Sequence, residues 1–465
     1  MYFYATRVAP CLAGIPDTGM LNQIRFMSFK SPFLQEFSAR GFFAQATHLH
    51  ELDELMAKES ITAYIGFDCT AKSLHAGSLV QIMILRLLQK HGHKPLVLLG
   101  GGTTKIGDPS GKDEARKVLN EAAIQENFSG IKKTLEKFIS FEGANGSVLV
   151  NNNDWLKELN YIDFLRDIGR HFSINRMLSF DSVKVRLGRD QELSFLEFNY
   201  MILQAYDFYA LNGEEGKTKH GRSCRLQIGG SDQWGNIVNG VELIRRKNPK
   251  LTFWDEGFFD EAQWSDEKEP NKPFGLTSPL LTTANGAKMG KSADGAVWLD
   301  ESMLSPFDYF QYFRNADDRD VGKFLKLFTD LPLEEIENLE KLCDSGINKA
   351  KEILAFEATK ICHGEKIADE VLQKAREIFI SKNSAAFEEK EIFLNEENGK
   401  KLTEILREIG AVESNSEAKK LIEGKAIKIN GEQVLDLNHQ ITNSSEFNLQ
   451  IGKKKFFKII AKKQI

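Results

Sequence analysis

The chain predicts an α/β fold in which a parallel-sheet domain is followed by an all-helical domain and a small α+β module. Three observations carry this. Apolar runs alternate with one helical stretch between Ile61 and Gly111, an aromatic-rich helical pattern fills Ser305 to about Lys382, and a lysine-rich segment of mixed pattern begins near Lys400. At 465 residues the chain is long enough for about two to four domains with a substantial buried core. Its 42% hydrophobic and 27% charged residues lie in the ordinary globular range, without low-complexity tracts or solenoid repeats. The richest apolar stretch, Leu79 to Leu88, is short and carries Arg86, so no membrane span is expected.

Residues 1–26 read as an N-terminal extension, with Met27 as the working initiator; they hold Pro10, Gly14, Pro16 and Gly19 and match neither a transit nor a secretory pattern cleanly. A cytoplasmic protein is expected, with organellar import left open. The parallel-sheet domain is placed at 27–300, the helical domain at 301–382, a polar, acidic linker (NSAAFEEKEIFLNEE) at 383–397, and the small module at 398–465. Five scattered cysteines, Cys11, Cys69, Cys224, Cys343 and Cys362, form no CxxC pair, so packing residues are expected rather than a disulfide framework or a metal site. Net charge is −5, unevenly spread: residues 401–465 hold twelve Lys or Arg against eight Asp or Glu, +4, leaving −9 for the remainder. A basic tail on an acidic body suggests a polyanionic partner.

Ile61 to Phe67 reads as a strand, Gly77 to His91 as a helix and Pro95 to Gly100 as a second strand. That βαβ order implies a Rossmann-like parallel sheet with a nucleotide site at its strand ends. The stretch GGGTTKIGDPSGKD is not a P-loop, because its spacing is one residue short and Asp113 replaces the Ser or Thr; Lys105 likewise breaks a GxGxxG from Gly100. The first βα turn is YIGFDCTAKSLHAGS, Tyr64 to Ser78. Asp68 and Thr70 stand on it and His75-Ala76-Gly77-Ser78 opens the helix, whose free N–H groups favour phosphate while Gly77 admits a flat base; a lone His there can equally be a cap. Over two hundred residues downstream, Lys288-Met289-Gly290-Lys291-Ser292 offers two ammonium groups that can neutralise charge growing on departing pyrophosphate, or simply form a solvated basic loop.

A helix from Ser194 to Leu211 carries EFNYMILQAYD. Its Tyr200, Gln204 and Asp207 are spaced four and three and share one face, either a pocket wall or a stripe turned to water. Next come a short strand at Leu226 to Ile228, the polar set Gln227, Gly229, Gly230, Asp232 and Gln233, and a helix at Asn236 to Lys247. An earlier helix, Tyr161 to Phe172, would align Ile162, Leu165, Ile168 and Phe172 as a subunit seam or as core. Near the C-terminus, Ser414 and Glu417 suggest a capping box, and Ala426 to Asn430 reads as a strand entering an Asn430-Gly431 turn. The closing GKKKFFKIIAKK interleaves Lys with Phe on a strand, suited to phosphates and bases or to guarding a sheet edge.

The His75 and Lys288 segments together resemble the His-Ile-Gly-His and Lys-Met-Ser-Lys-Ser signatures of class I aminoacyl-tRNA synthetases, in the same order on the same elements. Ala76 and Ser78 stand for Ile and the second His, and Gly290 for the central Ser, where it is expected to loosen the loop. With EFNYMILQAYD and CRLQIGGSDQWGN, the chain from about Phe33 onward is similar to tyrosyl-tRNA synthetases of bacterial type. That resemblance implies ATP-dependent activation of L-tyrosine to tyrosyl-adenylate, followed by transfer to the 3′ end of tyrosine tRNA. It implies that Tyr64 and Asp207 hold the phenolic OH and that Asp108, Tyr200 and Gln204 hold the amino group. Gly66, Asp68, Gly77, Gly230, Asp232 and Gln233 would line the adenylate. Thr70, His75, Lys112, Arg116, Lys288 and Lys291 would surround the phosphates, with Ser78 offering a hydroxyl to ribose or phosphate. Arg245 and Arg246 match residues that meet tRNA phosphates, and the tail, with Lys453, Lys454 and Lys455, resembles an RNA-binding module shared with a ribosomal small-subunit protein. A homodimer, Mg2+ arriving with ATP, and no prosthetic group are further expectations. A tryptophanyl-tRNA synthetase and a non-catalytic RNA-binding or splicing protein on the same fold are the alternatives.

Overall fold

The computed structural model describes residues 29–108, 119–188, 193–213, 216, 218–248, 271–286, 289–292, 295–342, 346–379, 388–394, 399–442, 445–452 and 455–463. The expected extension at 1–26 and residues Lys112, Arg116, Lys288, Lys453 and Lys454 lie outside them. The chain divides into two compact units, residues 1–365 and 366–465.

A six-stranded sheet organises the first unit. Its strands are β1 (Gln45–Ala46), β2 (Thr62–Phe67), β3 (Lys94–Leu99), β4 (Val148–Asn151), β5 (Cys224–Gly230) and β6 (Phe274–Ser278), in the order β1-β6-β5-β2-β3-β4. Only β1 runs antiparallel to its neighbour. A separate short pair, β7 (Lys291–Ser292) and β8 (Gly295–Ala296), follows it in the chain. The expected βαβ unit is β2, α1 (Leu79–Lys90) and β3, with a single 3-10 turn at Ala76–Ser78 leading into the helix. Eight side chains of α1 are buried, and β3 is buried from Pro95 to Leu99. Burial on both faces explains why β3 reads as a continuous apolar run instead of an alternating one. Strand order reverses between β2 and β5, which opens a crevice at their C-terminal ends, the place where such sheets bind ligands.

Two long helices flank that crevice. α2 (Phe195–Asn212) starts at a complete capping box, in which the Ser194 hydroxyl accepts from Glu197 N–H and the Glu197 carboxylate accepts from Ser194 N–H. α3 (Trp234–Lys247) ends in Arg245, Arg246 and Lys247, which complement the negative end of its dipole. The expected helix from Tyr161 to Phe172 is shorter: it stops at Asp167 and a 3-10 turn covers Gly169–His171. That break splits the proposed stripe. Ile168 is buried and Phe172 packs beside it in a cluster with Met177, Met201, Ile202 and Leu243, whereas Ile162 and Leu165 remain exposed.

The last helix of the expected helical domain, Glu365–Phe379, falls almost wholly in the second unit, whereas the helical segment as far as His363 belongs to the same compact unit as the sheet. It comprises α4 (Pro306–Arg314), α5 (Val321–Phe328), α6 (Leu333–Glu340) and α7 (Ile347–His363). The aromatic faces read from the sequence are its interior: Tyr309, Phe310, Phe313, Phe324, Leu325 and Phe328 are buried. Burying each such side chain contributes about 1.5–3 kcal/mol. Among the described cysteines, Cys69, Cys224 and Cys362 are buried free thiols. No described helix is long and apolar enough to cross a membrane.

The second unit corrects the expected linker. Within 383–397, residues Glu388–Leu394 form a strand, β9, with Ile392 and Leu394 fully buried. It pairs in parallel with the last strand, β15 (Lys455–Lys463). With β11 (Ile427–Ile429), β12 (Glu432–Gln433) and β14 (Ser445–Ile451) they make a sheet of order β12-β11-β14-β15-β9, while β10 (Lys400–Lys401) pairs separately with β13 (Gln440–Ile441). Polar composition hid the strand because only alternate side chains of an edge strand enter the core. The helices Leu402–Glu408 and Asn415–Glu423 complete that core. The expected turn is present, with Asn430 and Gly431 both at positive φ, 50° and 89°, between β11 and β12. The expected capping box is half formed: Ser414 accepts from Glu417 N–H, but the Glu417 carboxylate reaches Glu413 N–H instead.

Candidate active site

The crevice at the ends of β2 and β5 is a cavity of about 580 Å³. Its outer half is built on the turn after β2. His75 precedes the helix start in extended conformation and its Nδ1 accepts from Gly77 N–H at 3.0 Å, so the ring caps the first turn while lining the cavity. The capping role open in the sequence is present, and the same ring stands in the cavity. With Nδ1 accepting, the neutral ring carries its proton on Nε2. The strand pair that bears the second signature, β7 and β8, continues into a segment hydrogen-bonded to this turn: Ala76 N–H donates to Val297 O at 2.7 Å and Leu299 N–H to Leu74 O at 3.0 Å. Gly290 lies at the contact itself. At φ 99° it lies so close to the turn that an added Cβ would sit 2.5 Å from Gly77 N, so glycine is what lets the two signatures touch.

The inner half is set by α2. Tyr200, Gln204 and Asp207 all line the cavity, so their shared face is a pocket wall and not a stripe turned to water. Tyr200 OH donates to Asp68 Oδ1 at 3.2 Å, joined by Thr103 Oγ1 at 3.3 Å. Gln204 Oε1 accepts from Asn236 Nδ2 at 2.8 Å, and Asp108 Oδ2 accepts from Gln233 Nε2 at 2.9 Å. At the floor, Asp207 is 2% exposed. Burial pushes its carboxyl up to about 7, against the hydrogen bonds from Asn152 Nδ2 at 3.0 Å and Trp155 Nε1 at 2.7 Å, while the charge of Asp68 adds to the rise. Beside it the Tyr64 hydroxyl is buried without a hydrogen-bond partner among the described residues, and burial followed by the Asp207 charge pushes its pKa well above the usual phenol range. Buried polar groups are normally paired, so a lone hydroxyl next to a carboxylate is a half-built site for a ligand that both donates and accepts.

Residues 56–380 match the family profile of class I tRNA synthetases (W and Y), and residues 384–459 match the C-terminal domain of tyrosine–tRNA ligases. The chain is 54% identical over 442 residues to the tyrosine–tRNA ligase of Ehrlichia ruminantium (strain Welgevonden), covering 93% of this chain and 99% of that one. The chain belongs to the tyrosyl-tRNA synthetases. A Wolbachia pipientis tyrosine–tRNA ligase, from the Culex pipiens strain wPip, is 53% identical over 444 residues, again 93% of this chain and 99% of that one. The crystal structure of a C-terminally truncated mitochondrial tyrosyl-tRNA synthetase from Aspergillus nidulans superposes with a TM-score of 0.63 at 30% identity, covering 78% of this chain and 98% of that one. This synthetase is thus an ATP-dependent, class I tyrosine–tRNA ligase.

In the synthetase's cavity the fold gathers Tyr64, Gly66, Asp68, Thr70, His75, Gly77, Ser78, Asp108, Tyr200, Gln204, Asp207, Gly230, Asp232 and Gln233. Lys291 is described only by its backbone, in β7. Arg245 and Arg246 lie outside the cavity, both paired with Glu242, and Arg246 also donates to His171 O. Asn152 and Trp155, which hold Asp207, carry no signal in the sequence. They stand just past β4 with no motif of their own, and only the tertiary fold brings them under α2. Lys455 is described by its backbone alone, while its neighbours on β15 are partly neutralised: Lys458 pairs with Glu389 and Glu446, and Lys462 with Glu391. Counted with β9, residues 388–465 hold fourteen Lys or Arg and thirteen Asp or Glu, so the tail is far less basic as a folded body than as a string.

Proposed function

We propose that tyrosine binds with its phenol at the cavity floor, its hydroxyl donating to Asp207 and accepting from Tyr64, and with its amino group among Asp108, Tyr200 and Gln204. The carrying observation is the buried Asp207 carboxylate beside the unpartnered Tyr64 hydroxyl. An indole could donate its N–H but could not accept in turn, and phenylalanine would leave the Tyr64 hydroxyl unpartnered and give Asp207 no further donor beyond Asn152 and Trp155. ATP would lie across the strand ends, with Gly66, Asp68, Gly77, Gly230, Asp232 and Gln233 against the adenylate and Thr70, His75, Ser78, Lys112, Arg116, Lys288 and Lys291 around the phosphates. The tyrosine carboxylate attacks the α-phosphorus, the bond to the bridging oxygen breaks, and pyrophosphate leaves, its charge one that Mg2+ arriving with ATP would help to neutralise. A terminal ribose hydroxyl of the tRNA then attacks the acyl carbon and AMP departs. Positioning and charge stabilisation drive both steps, without a covalent enzyme intermediate. ATP–pyrophosphate exchange with tyrosine, tryptophan and phenylalanine tests this: exchange with tyrosine alone is expected, and exchange with tryptophan, or with none, favours the tryptophan enzyme or a non-catalytic RNA binder.

A homodimer is part of the same reading, supported by exposed apolar residues on the segments that cover the Met177 and Met201 cluster: Ile162 (67% exposed), Ile174 (64%) and Phe195 (70%). For tRNA we propose contacts at Arg245 and Arg246 and in the second unit. There Lys453, Lys454 and Lys455 follow β14, and the exposed Lys419, Lys420, Lys425 and Lys428 offer further charge away from the Glu-paired lysines of β15. The functional division we adopt is catalytic at 27–300, anticodon-side at 301–382 and RNA-binding from the start of β9, in a cytoplasmic enzyme. Removal of residues 384–465 should leave ATP–pyrophosphate exchange intact while weakening tRNA binding. Its log-log salt dependence should flatten by about 0.7 to 0.9 for each phosphate that the shortened protein no longer neutralises. An unchanged salt slope would refute the assignment to this module.

A further inference from the structure

The described residues on either side of Lys288, 281–286 and 289–290, are held from outside the sheet. The base of this loop is closed by Met289 N–H donating to Leu281 O at 3.1 Å, and none of its residues from Thr282 to Gly286 is buried. Apolar packing therefore does not set the position of this stretch. Four polar side chains from one end of the helical segment reach it instead. Asp320, itself 5% exposed at the start of α5, accepts from Ala284 N–H through Oδ2 at 2.7 Å. Lys323 Nζ donates to Thr282 O at 3.0 Å, and Arg319 Nη2 donates to Asn285 Oδ1 at 2.9 Å. On α4, Tyr312 OH accepts from Gly290 N–H at 3.5 Å. Two of these partners are backbone N–H groups and one is a backbone carbonyl, so three of the four hydrogen bonds act on the path of the chain, and that of Arg319 takes a loop side chain.

The same loop touches the nucleotide turn. Gly290 O accepts from Val297 N–H at 3.0 Å, Val297 O accepts from Ala76 N–H, and Gly290 packs on Gly77. A continuous set of hydrogen bonds thus runs from α4 and α5 through the loop backbone to the turn that caps with His75. Partial burial pushes the pKa of Lys323 down, against the charge of Asp320, although the side chain as a whole stays exposed. The hydrogen bond to the buried Asp320 carboxylate is worth more than the exposed ones beside it and is the most sensitive to loss of its partner.

We propose that Asp320 and Lys323, assisted by Tyr312 and Arg319, are positioning residues for adenylate formation: they hold the lysine-bearing loop in register with the nucleotide turn without touching substrate. The inference rests on the reading above that Lys288 and Lys291 serve the departing pyrophosphate. It also makes the helical segment a physical lever on the chemistry, since any movement of the start of α5 is passed to the loop backbone. Asp320→Ala should lower kcat for ATP–pyrophosphate exchange roughly 5- to 10-fold while the KM for tyrosine stays within about twofold, the pattern of an interaction expressed mainly in the transition state. Asp320→Asn, which keeps an oxygen for Ala284 N–H, should recover most of the rate.

Lys323→Met, which retains the aliphatic stem, and Tyr312→Phe should each give a smaller loss of the same kind, and they carry the test if Asp320→Ala does not fold. Combined with Lys291→Ala, Asp320→Ala should cost less than the product of the two single effects, because a misplaced loop has already weakened what the lysine contributes. A wild-type rate in Lys291→Ala would overturn the role given to the loop lysines, and this proposal with it. A slow Lys291→Ala beside wild-type rates in Asp320→Ala and Lys323→Met would overturn the positioning role alone. Proportional loss of tyrosine affinity and rate in Asp320→Ala, unrelieved by Asp320→Asn, would reduce it to a structural residue and equally overturn the proposal.

Discussion

The floor and the mouth of the cavity are built by different physics. At the floor, Asp207 is enclosed by α2, β2 and the start of the segment after β4, with two fixed donors, Asn152 and Trp155, aimed at its oxygens. At the mouth, the loop from Thr282 to Gly286 has no buried residue and is held by side chains of α5 and the turn before it. The difference teaches a division of labour. Selection of a small phenol needs preorganised, desolvated polar groups whose mispairing is costly, whereas charge built up on a leaving group can be met by a loop that approaches as the reaction proceeds.

The sharpest way to break that comparison is at the floor. Asp207→Ala should reduce kcat/KM for tyrosine activation roughly 10- to 150-fold, the loss expected for one hydrogen bond to a charged group. A wild-type value in pyrophosphate exchange would place the phenol elsewhere. At the mouth, Lys288→Ala and Lys291→Ala should each lower kcat by roughly tenfold with a smaller change in KM for ATP. If the whole change fell on KM, the lysines would bind ATP in its ground state and the contrast between the two ends would vanish.

A subtler change sharpens the floor. Trp155→Phe removes the 2.7 Å donor to Asp207 and should weaken tyrosine affinity by about 3- to 10-fold, measured by fluorescence titration or equilibrium dialysis. Affinity for ATP should stay as it was, and a parallel loss there would mean that the indole supports the fold rather than the carboxylate. The smallest effect is in pH. Because burial holds the Asp207 carboxyl at about 7, raising the pH from 7 to 8.5 should ionise the remaining half and tighten tyrosine binding by about twofold. Stability of the free enzyme runs the other way. The folded group binds its proton more tightly than the unfolded one, so this contribution is fully present at low pH and is lost as the pH rises from about 4 to about 7. Asp207→Asn should abolish both trends, and their persistence in that variant would assign them to another group.

Much of the site was legible because its motifs sit on elements that announce themselves. A turn between a strand and a helix, a helix with Tyr200, Gln204 and Asp207 at helical spacing, and a glycine pair ending a strand each carry local signals that survive without tertiary knowledge. The resemblance to synthetases rests on those stretches, and the fold assembles fourteen of the named residues around one cavity. Less legible were features whose meaning depends on a distant partner. Gly290 reads as a loosened loop in the string, yet its backbone lies against Gly77. Glu389 and Glu391 read as linker charge, yet they answer Lys458 and Lys462 across β9 and β15.

The sequence by itself determined which chemistry is present and on which kinds of element, because hydrophobic period, capping residues and turn glycines act over a few residues and are written locally. The tertiary structure alone decided how those groups are tuned. Asp207 is an ordinary carboxylate in the string and becomes a half-ionised acceptor near pH 7 only when α2 buries it against Asn152 and Trp155. The grip of Asp320 and Lys323 on the loop belongs to the same class. Desolvation and close polar approach depend on what surrounds a group in space, and residues 36 and 41 positions apart in the chain, such as Ala284 with Asp320 and Thr282 with Lys323, become neighbours only after the helical segment has packed.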